Sequence, residues 1–160
     1  MFKALLPFLF AACFLSCNKK NDEVSIFINQ YDAIRLVSYN HHRTAALKFT
    51  DNDLQIENTK FVDDISLNAD QSYKIFKVLF SPPEIGTLAD CYYPRHILLF
   101  YKQKKIIGYY EFCAACGGSE QSQNIKIPSI VTEQGAQLVK IFKEMKLNNN
   151  GEDNGEMPYF

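Results

Sequence analysis

Three cysteines in the second half of the chain have a spacing that could support metal binding or thiol chemistry. Cys113-Ala114-Ala115-Cys116 is a Cys-x-x-Cys pair, and Cys91 precedes it by more than twenty residues. Cysteines so spaced can bind zinc as thiolates, or form a disulfide that another thiol can reduce. His96 is the nearest side chain that could supply a fourth zinc ligand.

A predicted β-hairpin would bring these cysteines together. The runs His96–Tyr101 and Ile106–Phe112 are apolar and rich in aromatic residues, and the polar segment Lys102–Lys105 between them predicts a turn. Neither run alternates cleanly between apolar and polar residues. We therefore expect the hairpin to be central in its sheet and covered on both faces.

The register of this hairpin determines which groups face each other. A turn centred between residues 103 and 104 places Cys91 level with Cys116, at the open end of the hairpin. The same register puts Glu111 opposite His96. We expect His96 to be hydrogen-bonded by that carboxylate or by a backbone carbonyl rather than to bind a metal.

Three fates of the thiols remain open. An exported chain meets an oxidising compartment, so we prefer a structural disulfide from Cys91 to Cys113 or Cys116, which would add about 3 kcal/mol. The second alternative is a redox-active or metal-binding cluster of the three cysteines, with His96 completing a zinc site. The third is a local Cys113–Cys116 disulfide, or three buried reduced thiols. Gly117-Gly118 follows the pair where a thioredoxin-like site would begin a helix, which weakens the redox alternative.

The N-terminus has the pattern of a lipoprotein signal peptide. Lys3 precedes an apolar run that is shorter than the about 20 residues needed to span a bilayer. Its length is typical of the hydrophobic region of a signal peptide. Phe14-Leu15-Ser16-Cys17 resembles a lipobox, and polar residues follow Cys17 directly. We expect residues 1–16 to be removed and Cys17 to be acylated, which would attach the chain to membrane lipid.

Two alternatives to this processing remain. Phe10-Ala11-Ala12-Cys13 is a rival cleavage site, but the apolar run before Cys13 is very short. A soluble secreted protein is the other alternative. Asn18 is not the aspartate associated with retention in the inner membrane, so we expect a lipid-anchored protein of the cell envelope, in the outer rather than the inner membrane.

Composition indicates one domain of ordinary size. Removal of residues 1–16, which include Lys3, leaves 144 residues and changes the formal charge from −1 to −2. A near-neutral chain without a basic stripe argues against a nucleic-acid partner. We assign 17–23 to a polar spacer, 24–147 to the globular domain, and the Asn- and Gly-rich segment 148–160 to a flexible tail.

The remaining patterns predict an α+β fold, with an antiparallel sheet containing the central hairpin and two helices packed against it. One helix is capped by Asn68 and ended by Pro82-Pro83, and Thr132 can cap the other. Weaker strands are predicted at Ala33–Tyr39, Leu54–Ile56 and Phe61–Leu67.

Other polar clusters offer little chemistry. The adjacent histidines of His41-His42-Arg43 point in different directions on any regular element, which suits a loop better than a metal site. Asp51-Asn52-Asp53 and Asp63-Asp64 lack the spacing of a calcium loop and indicate turns. Because no nucleophile, phosphate-binding or paired-carboxylate motif occurs, we assign no catalytic residue and do not expect an enzyme.

The cysteine region resembles a pattern that recurs in small bacterial lipoproteins without assigned function. It comprises Cys91-Tyr92-Tyr93-Pro94-Arg95-His96, the apolar hairpin and Cys113-Ala114-Ala115-Cys116-Gly117-Gly118, within roughly residues 60–147. The resemblance implies the domain and its cysteine site, and no activity, ligand or partner. Our first hypothesis is a non-enzymatic, lipid-anchored binding or structural domain without a cofactor. The second is a thiol-redox or metal-binding lipoprotein.

Overall fold

The computed structural model describes residues 22–39, 46–50, 53–57, 61–83 and 92–151, with the two short middle segments described by their backbone. The signal peptide, Cys17, His41-His42-Arg43 and Cys91 lie outside these residues. The elements are, in chain order, α1 Glu23–Ile28, β1 Ala33–Tyr39, β2 Ala46–Thr50, β3 Asp53–Glu57, β4 Phe61–Ser66, α2 Ala69–Phe80, β5 His96–Lys102, β6 Lys105–Phe112, β7 Ser119–Gln121 and α3 Thr132–Glu144.

The predicted α+β fold with an antiparallel sheet is confirmed. Five strands form one sheet in the order β4-β1-β5-β6-β7, in which every neighbouring pair is antiparallel. β2 and β3 form a separate hairpin, and β3 lies against β6. The predicted β5–β6 hairpin is therefore central. Within the described residues, no helix has the length and apolar character needed to cross a membrane.

Local sequence explains where the two longer helices begin. Asn68 Oδ1 accepts a hydrogen bond from the Gln71 N–H, and Gln71 Oε1 accepts one from the Asn68 N–H, each at 2.9 Å, which confirms the predicted capping box of α2. α3 starts one residue earlier than a Thr132 cap would place it. Val131 precedes the helix, and its N–H donates to Gln134 Oε1.

Apolar side chains bury both faces of the sheet. On one face, Phe100 lies beneath α1 and α2, its ring centroid 5.9 Å from that of Phe27 and 6.0 Å from that of Phe76. On the other face, Ile97 and Leu99 are 0% and 3% exposed. The expectation that the hairpin is covered on both faces is confirmed.

The predicted hairpin register holds at the turn but not along the strands. Tyr101 pairs with Ile106 as expected, but the register then shifts by one residue, so that Phe112 rather than Glu111 lies opposite His96. Ile107 is the extra residue of this bulge. A shift of one residue moves every later side chain to the other face of the sheet, so the Glu111 carboxylate expected as one partner of His96 was wrong. The alternative partner, a backbone carbonyl, is confirmed, since His96 Nε2 lies 2.9 Å from the carbonyl oxygen of Asn149.

Both predicted domain boundaries also shift. Asp22 Oδ1 accepts a hydrogen bond from the Ser25 N–H and caps α1, so the fold begins inside the predicted spacer. At the other end, Asn148–Gly151 was assigned to the flexible tail but is packed against the domain. Polar composition suggested disorder, but the amide groups of this segment find buried partners.

Candidate functional site

The Cys-x-x-Cys pair lies in a tight loop between β6 and β7, residues Cys113–Gly118, which we call the disulfide turn. Cys113 and Cys116 form a disulfide, with Cα atoms 5.5 Å apart. Backbone bonds hold the turn independently. The Cys113 N–H donates to Gly118 O at 3.2 Å, and the Gly117 N–H donates to Cys113 O at 3.0 Å.

Two glycines after the pair are required by both conformation and space. Gly117 and Gly118 have φ values of 76° and 84°, a region that other L residues rarely adopt. A Cβ on Gly118 would lie 3.0 Å from the ring of Tyr92. A Cβ on Gly117 would lie 3.1 Å from the backbone nitrogen of Thr132. The chain therefore turns back sharply while staying in contact with the start of α3.

α3 packs its first turns directly onto the disulfide turn. A Cβ on Gly135 would lie only 2.0 Å from the carbonyl oxygen of Ala114, so a residue with a side chain cannot occupy this position without displacing backbone. No helix begins directly after the cysteine pair, yet the fold places the N-terminus of α3 beside it. The positive end of that helix dipole favours negative charge nearby.

The observed disulfide differs from the pairing that the sequence favoured. A Cys113–Cys116 bond leaves neither sulfur for Cys91, so the preferred Cys91 disulfide is replaced by the local alternative. Cys91 itself lies outside the described residues. A disulfide that closes so short a loop contributes only about 2 kcal/mol in the chain-entropy model, less than the about 3 kcal/mol expected for Cys91. Its value as a structural crosslink is correspondingly modest.

His96, the candidate fourth metal ligand, has a different role. It is fully buried, and its Nε2 lies 2.9 Å from the carbonyl oxygen of Asn149, which requires a proton on Nε2. Its ring stacks on Phe112 and packs against Phe142. Nδ1 is buried without a hydrogen-bond partner. Burial lowers the pKa of His96 to about 4, so the side chain is neutral at physiological pH. Within the described segments, no cluster of three or more potential ligands could hold a metal ion.

Glu111 lies on the opposite face of the sheet from His96, and its hydrogen-bond partner is Tyr39. Tyr39 donates its hydroxyl hydrogen to Glu111 Oε1, and both side chains are buried. Burial and the nearby Glu111 carboxylate raise the pKa of Tyr39 far above its usual range. Tyr39 therefore stays a phenol, and its hydrogen bond to Glu111 is a stabilising contact between β1 and β6.

A buried row of polar side chains crosses the helix-covered face beside the disulfide turn. Ser38, Asp63 and His96, which we call the polar row, lie side by side on β1, β4 and β5. Ser38 donates to Asp63 Oδ2 at 2.6 Å. The aspartate belongs to a strand rather than to the turn predicted for Asp63-Asp64. Its position two residues before the inward-facing Ile65 was the available signal that it points into the domain.

The segment Asn148–Gly151, which we call the C-terminal strap, supplies the remaining partners of the polar row. Asp63 Oδ1 accepts from the backbone and side-chain nitrogens of Asn148 at 3.0 and 2.9 Å, and Oδ2 accepts from the Asn149 N–H at 2.9 Å. Burial acts to raise the pKa of Asp63, but these donors together with Ser38 hold it below its usual value. The carboxylate is therefore charged, and both of its oxygens accept hydrogen bonds.

The C-terminal strap also reaches the disulfide turn. A Cβ on Gly151, whose φ is 84°, would lie 2.9 Å from the Ala114 side chain and 3.1 Å from His96 Cε1. The strap, the polar row, the disulfide turn and α3 thus form one packed unit. Composition could not identify the strap, since its sequence is typical of disorder.

Comparison of the chain with protein-family models, with curated proteins and with solved structures found no match.

Two truncated chains should show how much the C-terminal strap contributes to the stability of the fold. A chain ending at Leu147 loses the three donors that Asn148 and Asn149 give to Asp63, and the partner of His96, so we expect the free energy of unfolding to fall by about 3 kcal/mol. A chain ending at Gly151 keeps these contacts and should be the more stable of the two in urea unfolding. Equal stability of the two truncated chains would contradict the role given to the strap.

Substitution of Gly135 should disturb the packing of α3 on the disulfide turn. An added Cβ at 2.0 Å from a backbone oxygen forces the helix or the turn to move, which we expect to cost about 1–3 kcal/mol despite the higher helix propensity of alanine. Gln137→Ala, at an exposed position of the same helix, is the matched control and should be near neutral. Thermal unfolding of both variants measures the difference, and a stabilised Gly135→Ala chain would refute the close contact.

His96 should make the fold sensitive to mild acid. The unfolded chain binds a proton at His96 near pH 6.5, whereas the folded chain binds it only near pH 4, so stability should fall as the pH decreases between these values. The full effect is about 3 kcal/mol. His96→Gln can still donate to Asn149 O but cannot titrate. Urea unfolding across this pH range should therefore show a smaller loss for the variant, and an equal loss would remove His96 as the cause.

Proposed function

We propose that the chain is a lipoprotein of the cell envelope, acylated at Cys17, and that its domain is a non-enzymatic binding or structural module. The observation that carries this proposal is the lipobox-like Phe14-Leu15-Ser16-Cys17 followed almost directly by the start of the fold. Asp22, five residues after Cys17, is both the cap of α1 and the acceptor of the Tyr73 hydroxyl of α2 at 2.9 Å.

This arrangement supports a domain held close to the membrane surface. The five steps from Cys17 to Asp22 span at most about 17 Å even when fully extended. Asp22 is hydrogen-bonded to residues of α1 and α2, so the flexible linker between the acylated residue and the domain ends at Asp22. We propose the outer membrane because Asn18 is not the aspartate associated with retention in the inner membrane.

The buried ionisable groups support a binding or structural role. Asp63 is occupied by Ser38 and the C-terminal strap, Glu111 accepts from Tyr39, and His96 donates to the strap. Each group holds together elements that are far apart in sequence. Such internal contacts are typical of groups that stabilise a fold.

The zinc-binding alternative finds less support than the thiol-redox alternative. Zinc requires thiolates, and Cys113 and Cys116 are bonded to each other. His96 would also have to give up its contact with Asn149 to offer Nε2 to a metal. Thiol exchange, in contrast, starts from a disulfide, and the first turn of α3 beside it is an observation in its favour.

The anchor can be tested by metabolic labelling with radioactive palmitate in bacteria, followed by fractionation. Wild-type chain should carry label and sediment with the membranes, whereas Cys17→Ala should lose the label because the acylated sulfur is missing. Cys13→Ala is the matched control and should be labelled normally. Loss of label in Cys13→Ala alone would move the site to Cys13, and an unlabelled wild-type chain would refute the lipoprotein proposal.

A further inference from the structure

We propose that the Cys113–Cys116 disulfide is a reversible exchange site, at which the thiolate of a partner attacks Cys116 and Cys113 leaves. The partner is a thiol or dithiol, either a small molecule or a cysteine pair of another protein. The proposal goes beyond an anchored binding module, because it adds a covalent step. It needs no acylation at Cys17.

Access favours attack at the second cysteine of the pair. Cys116 is 9% exposed and follows the exposed Ala115, whereas Cys113 is 3% exposed. Cys113 directly follows Phe112, which is fully buried under the stacked ring of His96. The protein therefore shields Cys113, while the outer side of the turn leads to Cys116.

Hydrogen bonding favours Cys113 as the leaving group. The Cys116 N–H donates to Cys113 Sγ at 3.0 Å, so negative charge that develops on this sulfur is stabilised as the S–S bond breaks. The first turns of α3 lie against the disulfide turn, with Thr132 beside Gly117 and Gly135 beside Ala114, so the field of a helix N-terminus also favours negative charge in this turn. A better stabilised thiolate leaves faster in thiol–disulfide exchange.

The disulfide turn can keep its shape when the S–S bond is open. Backbone bonds from Cys113 N–H to Gly118 O and from Gly117 N–H to Cys113 O close it without the sulfurs. The Gly118 N–H donates to Ile130 O at 2.8 Å and fixes the turn to the segment before α3. Both redox states can therefore share one fold, as a reversible site requires.

Exchange with a dithiol partner takes place in two steps. The partner's thiolate forms a bond to Cys116 Sγ while the Cys113–Cys116 bond breaks, and Cys113 leaves with the electron pair and takes up a proton. The second partner thiol, once deprotonated, attacks the partner sulfur of the mixed disulfide and releases Cys116 as a thiolate, which is then protonated. The partner loses two electrons and becomes a disulfide, and the cysteine pair gains two electrons and both protons.

Reduced glutathione is a suitable probe of which sulfur a thiolate attacks. The oxidised wild-type chain is exposed briefly to glutathione and quenched with N-ethylmaleimide, which caps the released thiol. Trypsin then releases the peptide Ile106–Lys126, whose only cysteines are Cys113 and Cys116, so other cysteines of the full-length chain do not interfere. Mass spectrometry should find glutathione on Cys116 and the cap on Cys113 in about ten times as many peptides as the reverse. Equal amounts, or more glutathione on Cys113, would overturn the assignment.

A second measurement asks whether the domain stays folded when the bond is open. Dithiothreitol should open the disulfide of the wild-type chain while circular dichroism stays unchanged. Reduction that occurs only after urea unfolds the chain would show that the bond is purely structural and would overturn the proposal. Neither measurement depends on the palmitate experiment.

Discussion

The buried carboxylate of Asp63 is the constraint on which this end of the domain depends. A charged group on the helix-covered face of a sheet is costly unless donors surround it. Ser38 supplies one donor, and Asn148 and Asn149 supply three more from the other end of the chain. Satisfying this one group therefore fixes the C-terminal strap on the sheet. It also explains why a polar, glycine-containing segment is ordered.

The position of the strap has consequences for the site beside it. Asn149 accepts from His96, which fills the space between Phe112 and Phe142, and Gly151 contacts Ala114. Close packing of this kind transmits displacement rather than absorbing it. The disulfide turn thus packs against both the strap and α3. Its conformation is therefore set before any reaction at the sulfurs.

Local patterns predicted the parts of the fold that depend on neighbouring residues. The capping box at Asn68 and the apolar runs of the β5–β6 hairpin gave elements that the structure confirms. The register of that hairpin was missed because a bulge at Ile107 decides it, and the isolated Gly108 that follows was the local signal of an extra residue. α1 was missed because six residues are too few to show a helical period.

Residue types and local patterns predict which side chains could do chemistry, the hairpin that carries the Cys-x-x-Cys pair, and the signal-like segment before Cys17. The assembled fold settles three further points: Cys113 bonds to Cys116, His96 faces Asn149 rather than Glu111, and α3 begins beside the disulfide turn. Spacing and periodicity describe residues a few positions apart. Contacts between residues far apart in sequence depend on register and close packing, which are settled only when the whole core assembles.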